Sequence, residues 1–307
     1  MKSFLRKLTN PSFVMDSFLR RTCTIWPTKL YLSLLYRARF KYKLNWNNPS
    51  TFNEKLNWEK VYNRNPLYPL LADKYEAKQY IKNLIGDYYI VPCYGVYNKF
   101  EDIDFEKLPN QFVLKVTHDS SGVTICKDKN LFVKDEAKAK IESAMQRNWF
   151  PYLREWVYKD IKPRIIVDKF LDDHTGDELR DYKFWCFNGE PRVVYLTNKG
   201  KIIKENFYDM NFKPLDINHG FERHMPEYDK PESFEEMKEL AMKISSGIPF
   251  VRVDFFYVEG RVYFGECTFY DWAGLRPFSD NKWDRLLGQW INLSLVEERF
   301  KNLCEYY

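Results

Sequence analysis

The chain has 307 residues, 45% hydrophobic and 30% charged, which fits one large folded domain or a few small lobes and excludes a disordered chain. No stretch reads as a signal peptide, and the longest near-apolar run, residues 30–36, is far too short for a membrane span. Six scattered cysteines without a Cys-x-x-Cys pair exclude a zinc ribbon or dense disulfide frame and suit a reducing cytosol, while four histidines leave little for a His-based metal site.

The net charge of +5 is uneven. Residues 1–45 hold ten Lys/Arg against Asp16 alone, so they carry +9 and the other 262 residues sum to −4. Residues 3–43 read as two helices broken near Pro27, with Tyr31, Leu34, Leu35 and Ala38 at helical spacing. Such a basic arm either packs on its own protein or rests on an anionic membrane or acidic polymer. Thr51 and Glu54 then fit a capping box before an apolar stripe of Phe52, Leu56 and Val61. A helix over 73–85 stops at Gly86, and residues 88–91 read as a strand ended by Pro92.

Strands follow at 112–116 and 123–126 around the polar loop 118–122, then a charged helix over 134–148 and a strand over 164–170. Residues 182–187 and 192–196 form a hairpin across Asn188-Gly189, a type I′ signal. A helix over 231–246 precedes a second hairpin, 250–257 with 261–269. Antiparallel hairpins mixed with single helices predict an α+β fold, and the absence of Walker A and Gly-x-Gly-x-x-Gly patterns removes the commonest nucleotide folds.

The last hairpin carries the most chemistry. Alternation puts Arg252 and Asp254 on one face of their strand and Glu266 with Thr268 on one face of the next. A two-residue turn at Glu259-Gly260 pairs 253 with 266 and sets Glu266 on the side away from Asp254. A three-residue loop over 258–260 pairs 252 with 266 and 254 with 264, and the four polar groups then converge. Together they make oxygen ligands of the kind Mg²⁺ takes alongside phosphate; the plainer alternative is a solvent-facing sheet with paired charges. Lys115, pointing from a strand ahead of Ser120, Ser121 and Gly122, suits phosphate holding or an ordinary hairpin turn. The strand end Asp168-Lys169-Phe170-Leu171 can offer backbone groups to an adenine edge.

In order, Asp73-Lys74, Lys115 with Ser120-Ser121-Gly122, Asp168-Lys169-Phe170-Leu171, Arg252-Val253-Asp254 and Glu266-Cys267-Thr268 resemble the ATP-grasp superfamily. A nearer resemblance is to the TupA-like ATP-grasp family of bacterial capsule and O-antigen synthesis. It is carried by Asn48-Pro49-Ser50-Thr51-Phe52-Asn53-Glu54-Lys55-Leu56, Asp73-Lys74-Tyr75, Leu108-Pro109-Asn110-Gln111-Phe112-Val113-Leu114-Lys115 and Lys162-Pro163-Arg164-Ile165-Ile166. Asp181-Tyr182-Lys183-Phe184 with Cys186-Phe187-Asn188-Gly189, and Phe250-Val251-Arg252-Val253-Asp254-Phe255 with Gly265-Glu266, complete it. Departures are a glycine-poor loop at 118–122, Asp168-Lys169 where two glutamates are usual, Thr268 for asparagine, and no Pro-Gly in 269–274.

The resemblance implies an ATP-grasp fold, two α+β lobes with antiparallel sheets clasping ATP after a helical N-terminal region. Its divisions are a basic arm (1–45), a helical region (46–107), a lid subdomain (108–170) and a C-terminal subdomain with the metal site (171–307). It implies a ligase joining a carboxylate to an amine through an acyl phosphate, with ATP and Mg²⁺. Lys74, Lys115, Ser120, Ser121, Gly122, Asp168, Lys169, Phe170 and Leu171 would bind ATP. Asp254, Glu266 and Thr268 would bind metal, and Arg252 and Lys183 would act in catalysis. His118, Trp272 and Arg276 would face substrate. The implied substrates are a uronic acid carboxylate, free or in an acidic polysaccharide, and an amino acid or other amine, with no nucleic acid partner. The enzyme would sit in the cytoplasm, with a peripheral membrane contact through the arm. Rival readings are a sugar-processing transferase, a non-catalytic glycan- or nucleotide-binding module, and a phosphotransferase that stops after phosphate transfer.

Overall fold

The computed structural model describes residues 11–174, 179–198, 203–225 and 227–302. The arm forms helices α1 (Pro11–Arg21) and α2 (Thr28–Phe40), as its spacing predicts, and the part of that prediction over residues 3–10 lies outside the described residues. Leu19, Tyr31, Leu35 and Tyr36 pack with Ala273 and Leu275, so the described arm docks on the body of the chain.

Helix α3 (Phe52–Tyr62) opens with the expected capping box, in which Thr51 Oγ1 accepts from Glu54 N at 3.3 Å and Glu54 Oε2 accepts from Thr51 N at 3.2 Å. Its buried face is more polar than the predicted stripe. Phe52 and Leu56 are buried, Val61 is only half-buried, and Asn53, Asn57, Glu59 and Lys60 fill the rest. Helices α4 (Leu67–Ala72) and α5 (Lys74–Ile85) follow. Asp73 caps α5 by accepting from Tyr75 N and Glu76 N, and Gly86 ends it at φ 102°, a conformation that suits glycine. Lys74 N donates to Thr117 O at 3.0 Å, which ties the start of α5 to the loop after the second strand.

The first sheet runs in the order β1 (Cys93–Tyr97), β4 (Ile165–Lys169), β2 (Phe112–Val116), β3 (Val123–Cys126), antiparallel throughout. The strand expected over 88–91 is a 3₁₀ turn at Asp87–Tyr89, and the strand instead begins just after Pro92. Proline lacks an N–H but is tolerated where a strand starts. Phe112, Leu114, Val116, Ile165 and Val167 cover helix α6 (Lys134–Met145) through Ala137, Ile141 and Ala144. The other face carries Val113, Lys115, Ile166 and Asp168.

The second sheet has the order β10 (Arg261–Thr268), β9 (Phe250–Val258), β5 (Asp181–Phe187), β6 (Glu190–Asn198), β7 (Lys204–Tyr208), β8 (Pro214–Leu215). Asn188 at φ 54° and Gly189 at φ 87° make the predicted type I′ turn. One face, with Phe184, Val194, Val251, Val253, Phe255 and Phe264, packs on α4, α5 and α7 (Phe234–Ser245); α7 starts three residues later than expected. The opposite face is split. Trp185, Phe187, Val193, Phe207 and Phe250 pack on α3 and on α8 (Asn281–Trp290), while the neighbouring positions are polar and face the first sheet. A cavity of about 1830 Å³ lies there, lined from both sheets by Val113, Lys115, Asp168, Arg252, Asp254 and Glu266 among others. Among the described residues no helix is long and apolar enough to cross a membrane.

Candidate functional site

The register of β9 and β10 begins as the two-residue turn predicts and ends in a pairing that neither expectation contained. The turn is the two-residue kind, with Glu259 at φ 52° and Gly260 at φ 75°, and pairs Val258 with Arg261 and Phe255 with Phe264. A bulge at Gly265 then slips the ladder by one, so Asp254 faces Glu266 and Arg252 faces Thr268. The three-residue loop expected to bring these groups together is absent, and the bulge does that work. A Cβ at Gly265 would stand 3.0 Å from Asp254 O, so the bulge has little room for a side chain.

Arg252 is the hub. Its Nε and Nη2 donate to the two Asp254 carboxylate oxygens at 2.7 and 2.8 Å, Nη2 also donates to Glu266 Oε1 at 2.9 Å, and Nη1 donates to Asp271 Oδ1 at 2.7 Å. Thr268 Oγ1 lies 3.5 Å from Glu266 Oε1. Lys183, paired with Asp254 in register, places Nζ 2.5 Å from Asp181 Oδ2 and 3.8 Å from Asp254 Oδ2. Burial pushes the Asp254 carboxyl up to about 6 against the pull of Arg252 and Lys183. Burial acts on Glu266 in the same sense, but Lys74 and Arg252 outweigh it and hold that carboxyl below its ordinary range. Glu266 is a third exposed to the cavity, with Oε2 3.6 Å from Lys74 Nζ.

This donor set fits magnesium. Two carboxylates and a hydroxyl stand on adjacent strands at the cavity wall, and Mg²⁺ takes one or two protein carboxylates with phosphate oxygens and water. Among the described residues no three His, Cys, Asp or Glu side chains form a metal-holding group by themselves, so phosphate would have to complete the shell.

Across the cavity the signs reverse. Asp168 is fully buried; its Oδ2 lies 3.1 Å from Lys115 Nζ, and its Oδ1 pairs with Lys78. Burial would raise the Asp168 carboxyl, yet Lys115 and Lys78 together hold it below its ordinary range. The Asp168 side chain therefore fixes Lys115 and is not left open toward an adenine. Lys78, one turn beyond Lys74 on α5, is the partner that sequence reading missed. Of the strand end, Lys169 is exposed with its amide donating to Pro92 O at 2.8 Å, Phe170 is half-buried and Leu171 is buried beside Val91 and Tyr263.

The 118–122 loop is held by Asp119, which accepts from Ser121 N at 2.9 Å, Arg147 Nε at 2.8 Å and Trp149 Nε1 at 3.2 Å. Lys74 Nζ donates to Asp119 O at 3.1 Å. Ser120 and Ser121 are exposed, whereas Gly122 is buried, and a Cβ there would come within 2.6 Å of Ala144 Cβ. That glycine lets the strand approach α6. His118 Nε2 lies 2.9 Å from Arg147 O, and burial lowers the imidazole below its ordinary value.

Trp272 and Arg276 sit together, away from His118, on the segment after β10. Trp272, Ala273 and Gly274 are successive left-handed residues (φ 46°, 57° and 56°), a strained run held from behind by α3. Lys60 Nζ donates to Ala273 O at 2.6 Å and Asn57 Nδ2 to Gly274 O at 2.6 Å. Sequence reading also missed Glu205, on a strand it left unassigned; Lys204-Glu205-Asn206-Phe207-Tyr208 has no polar–apolar alternation to mark it.

A family model described as TupA-like ATP-grasp matches residues 54–292. No curated protein matches the chain in sequence. Among solved structures, the chain is similar to a D-alanine–D-alanine ligase from Helicobacter pylori at 19% identity and TM-score 0.44, covering 78% of this chain and 69% of that one. It is similar to the VanG D-Ala:D-Ser ligase from Enterococcus faecalis at 18% identity and TM-score 0.41, with 65% of this chain and 52% of that one covered. For a D-alanine–D-alanine ligase from Bacillus anthracis complexed with ATP the values are 15%, 0.41, 78% and 67%.

Proposed function

From the chain's membership of the TupA-like ATP-grasp family, to which residues 54–292 assign it, we propose that it is an ATP-dependent ligase forming an amide between a uronic acid carboxylate and an amine. The uronic acid belongs to a bacterial capsule or O-antigen polysaccharide or its precursor, and the amine is an amino acid or a related compound. The observation that carries this reading is the arrangement of charge around one cavity, with Lys115 on the first sheet, Arg252, Asp254, Glu266 and Thr268 on the second, and Lys74 3.6 Å from Glu266.

Lys74 and Lys115 hold ATP phosphates, and the exposed Ser120 and Ser121 with Gly122 form the loop that closes over them and keeps water out. Backbone of 169–171 borders the adenine, and Asp168 keeps Lys115 aimed. Asp254 and Glu266, with Thr268 beside them, would hold Mg²⁺, which when bound offsets charge on the transferring phosphoryl group. The substrate carboxylate attacks the γ-phosphorus, releasing ADP and leaving an acyl phosphate. The amine nitrogen then bonds to the acyl carbon, phosphate departs with the C–O electron pair, and one proton is shed. Arg252 stabilises the negative oxygen that develops in that step, and Lys183 steadies Asp254 and the phosphate side. His118 and Trp272 border the substrates.

The arm is proposed to make a peripheral contact with an anionic membrane or polymer at the inner membrane face. The exposed Phe13, Val14, Met15 and Phe18 beside Arg20 and Arg21 support that reading. The test of the ligase is ADP release from Mg·ATP with glucuronate or galacturonate as carboxylate and amino acids as amine. Release should require both partners. Release that ignores the amine would indicate a phosphotransferase, and release that ignores both would refute the ligase.

A further inference from the structure

The polar face of the second sheet ends in two acids that the reaction above does not use. Glu205 on β7 stands opposite Thr197, and Asp271 follows β10. They are 3% and 1% exposed, and both line the cavity. Asp271 Oδ1 accepts from Arg252 Nη1 and from Tyr195 OH at 3.2 Å, but Asp271 Oδ2 and Glu205 Oε2 are buried without a partner among the described residues. Burial, and then the charge of Asp271, push the Glu205 carboxyl up to about 8. Two buried acid oxygens without a donor among the described residues, on the wall of one cavity, mark a polar site.

Arg276 stands in their field. Its guanidinium carbon lies 3.8 and 4.1 Å from the ring centroids of Phe221 and Trp272, two rings tilted 44° to each other, and makes no ion pair among the described residues, although Glu205 and Asp271 both act on it at longer range. Cation–π contact with two adjacent rings holds the guanidinium in place and leaves N–H groups for an anion. His219 Nε2 lies 3.1 Å from Arg276 O; burial holds this imidazole down at about 4, so it adds no charge at neutral pH.

We propose that Glu205, Asp271 and Arg276 form the subsite for the attacking amine and that this amine is an α-amino acid, its ammonium received by the free carboxylate oxygens and its carboxylate by Arg276. A simple amine would leave Arg276 without an anion, and a simple acid would leave Asp271 Oδ2 and Glu205 Oε2 without a donor; a zwitterion satisfies all three. Through Asp271 the subsite joins Arg252, which places the amine next to the acyl carbon. The proton shed before attack passes to Glu205, the C–N bond forms, and phosphate leaves. This inference rests on the ligase reading.

The test uses the whole chain loaded with Mg·ADP, so that no turnover is needed. Common amino acids are titrated calorimetrically, each beside its carboxamide and its deaminated acid. At least one amino acid should bind with Kd below about 10 mM, and its two analogues at least about tenfold more weakly. Glu205→Gln and Arg276→Gln should each weaken that amino acid about tenfold while Mg·ADP affinity stays within about twofold. Overturning results are Mg·ADP binding with no amino acid bound, a carboxamide that binds as well as its amino acid, or variants that bind it unchanged. Failure to bind Mg·ADP at all would instead remove the nucleotide reading beneath the subsite, and the subsite with it.

Discussion

On the cavity side of the four-stranded sheet one hidden acid, Asp168, serves two lysines; on the cavity side of the six-stranded sheet one largely shielded arginine, Arg252, serves three acids. In both clusters the hub is shielded and part of the rim reaches the cavity, as Lys115 and Glu266 do. The sign of the hub thus sets the opposite sign at the rim, cationic on one side and anionic on the other, which the proposed function gives to phosphate and to metal. A buried ion cluster adds little net stability, but stripping its hub leaves charges that nothing compensates. On the lysine side, rim and hub should therefore fail differently, the rim in activity and the hub, Asp168, in folding.

The largest effect is expected at the anionic rim. Asp254→Asn with Glu266→Gln should lower ADP release about 10³-fold or more while circular dichroism stays native. Near wild-type turnover in that double variant would break the comparison on its acid side. Next comes the hidden hub. Asp168→Asn leaves Lys78 and Lys115 without their acid and should cost about 3–5 kcal/mol, seen as a Tm drop of roughly 2–4 °C per kcal/mol. Lys115→Gln, at the rim of the same cluster, should weaken ATP binding about tenfold and move Tm less. Equal Tm losses in the two variants would erase the distinction between hub and rim.

A smaller effect is expected from the bulge. Gly265→Ala puts a Cβ 3.0 Å from Asp254 O and should destabilise by about 1–2 kcal/mol, with turnover falling further than Tm alone accounts for as the alignment of Asp254 and Glu266 loosens. Unchanged kcat would show that the bulge is incidental. The smallest effect involves an acid with no ion-pair partner among the described residues. Glu59 is buried, accepts from Asn63 Nδ2 at 3.1 Å, and burial raises its carboxyl to about 8. A raised folded-state value means the stabilising proton is fully present below about 4.5 and is lost as pH rises through 8. Tm should fall between pH 5 and 8, and Glu59→Gln should flatten that fall by about 2 °C or more. An unchanged slope would assign the pH dependence to other groups.

Much of this division was legible in the residues. Alternation in 250–255 and 266–268 put the right groups on shared faces, because strand period is local, but it also set Phe264 beside Glu266, whereas Phe264 lies on the apolar face. The bulge was not legible, since nothing in Gly265 alone says that the partner strand leaves it little room. Asp168 read as part of a strand end because its two lysines come from a different strand and from α5, 53 and 90 positions away in the chain. Gly122 read as a phosphate turn, whereas the crowding that requires it comes from α6. The polar face of α3 was visible as Asn53, Asn57 and Lys60, but its purpose, holding the left-handed run at 272–274, depends on a segment more than 200 residues later.

The most direct measurement is calorimetric titration of ATP into the full chain with and without magnesium. The charge division predicts saturable binding that magnesium strengthens, with the magnesium gain lost in Asp254→Asn with Glu266→Gln and affinity about tenfold weaker in Lys115→Gln. No binding to the folded wild-type chain, or a magnesium gain that survives loss of both acids, would contradict it.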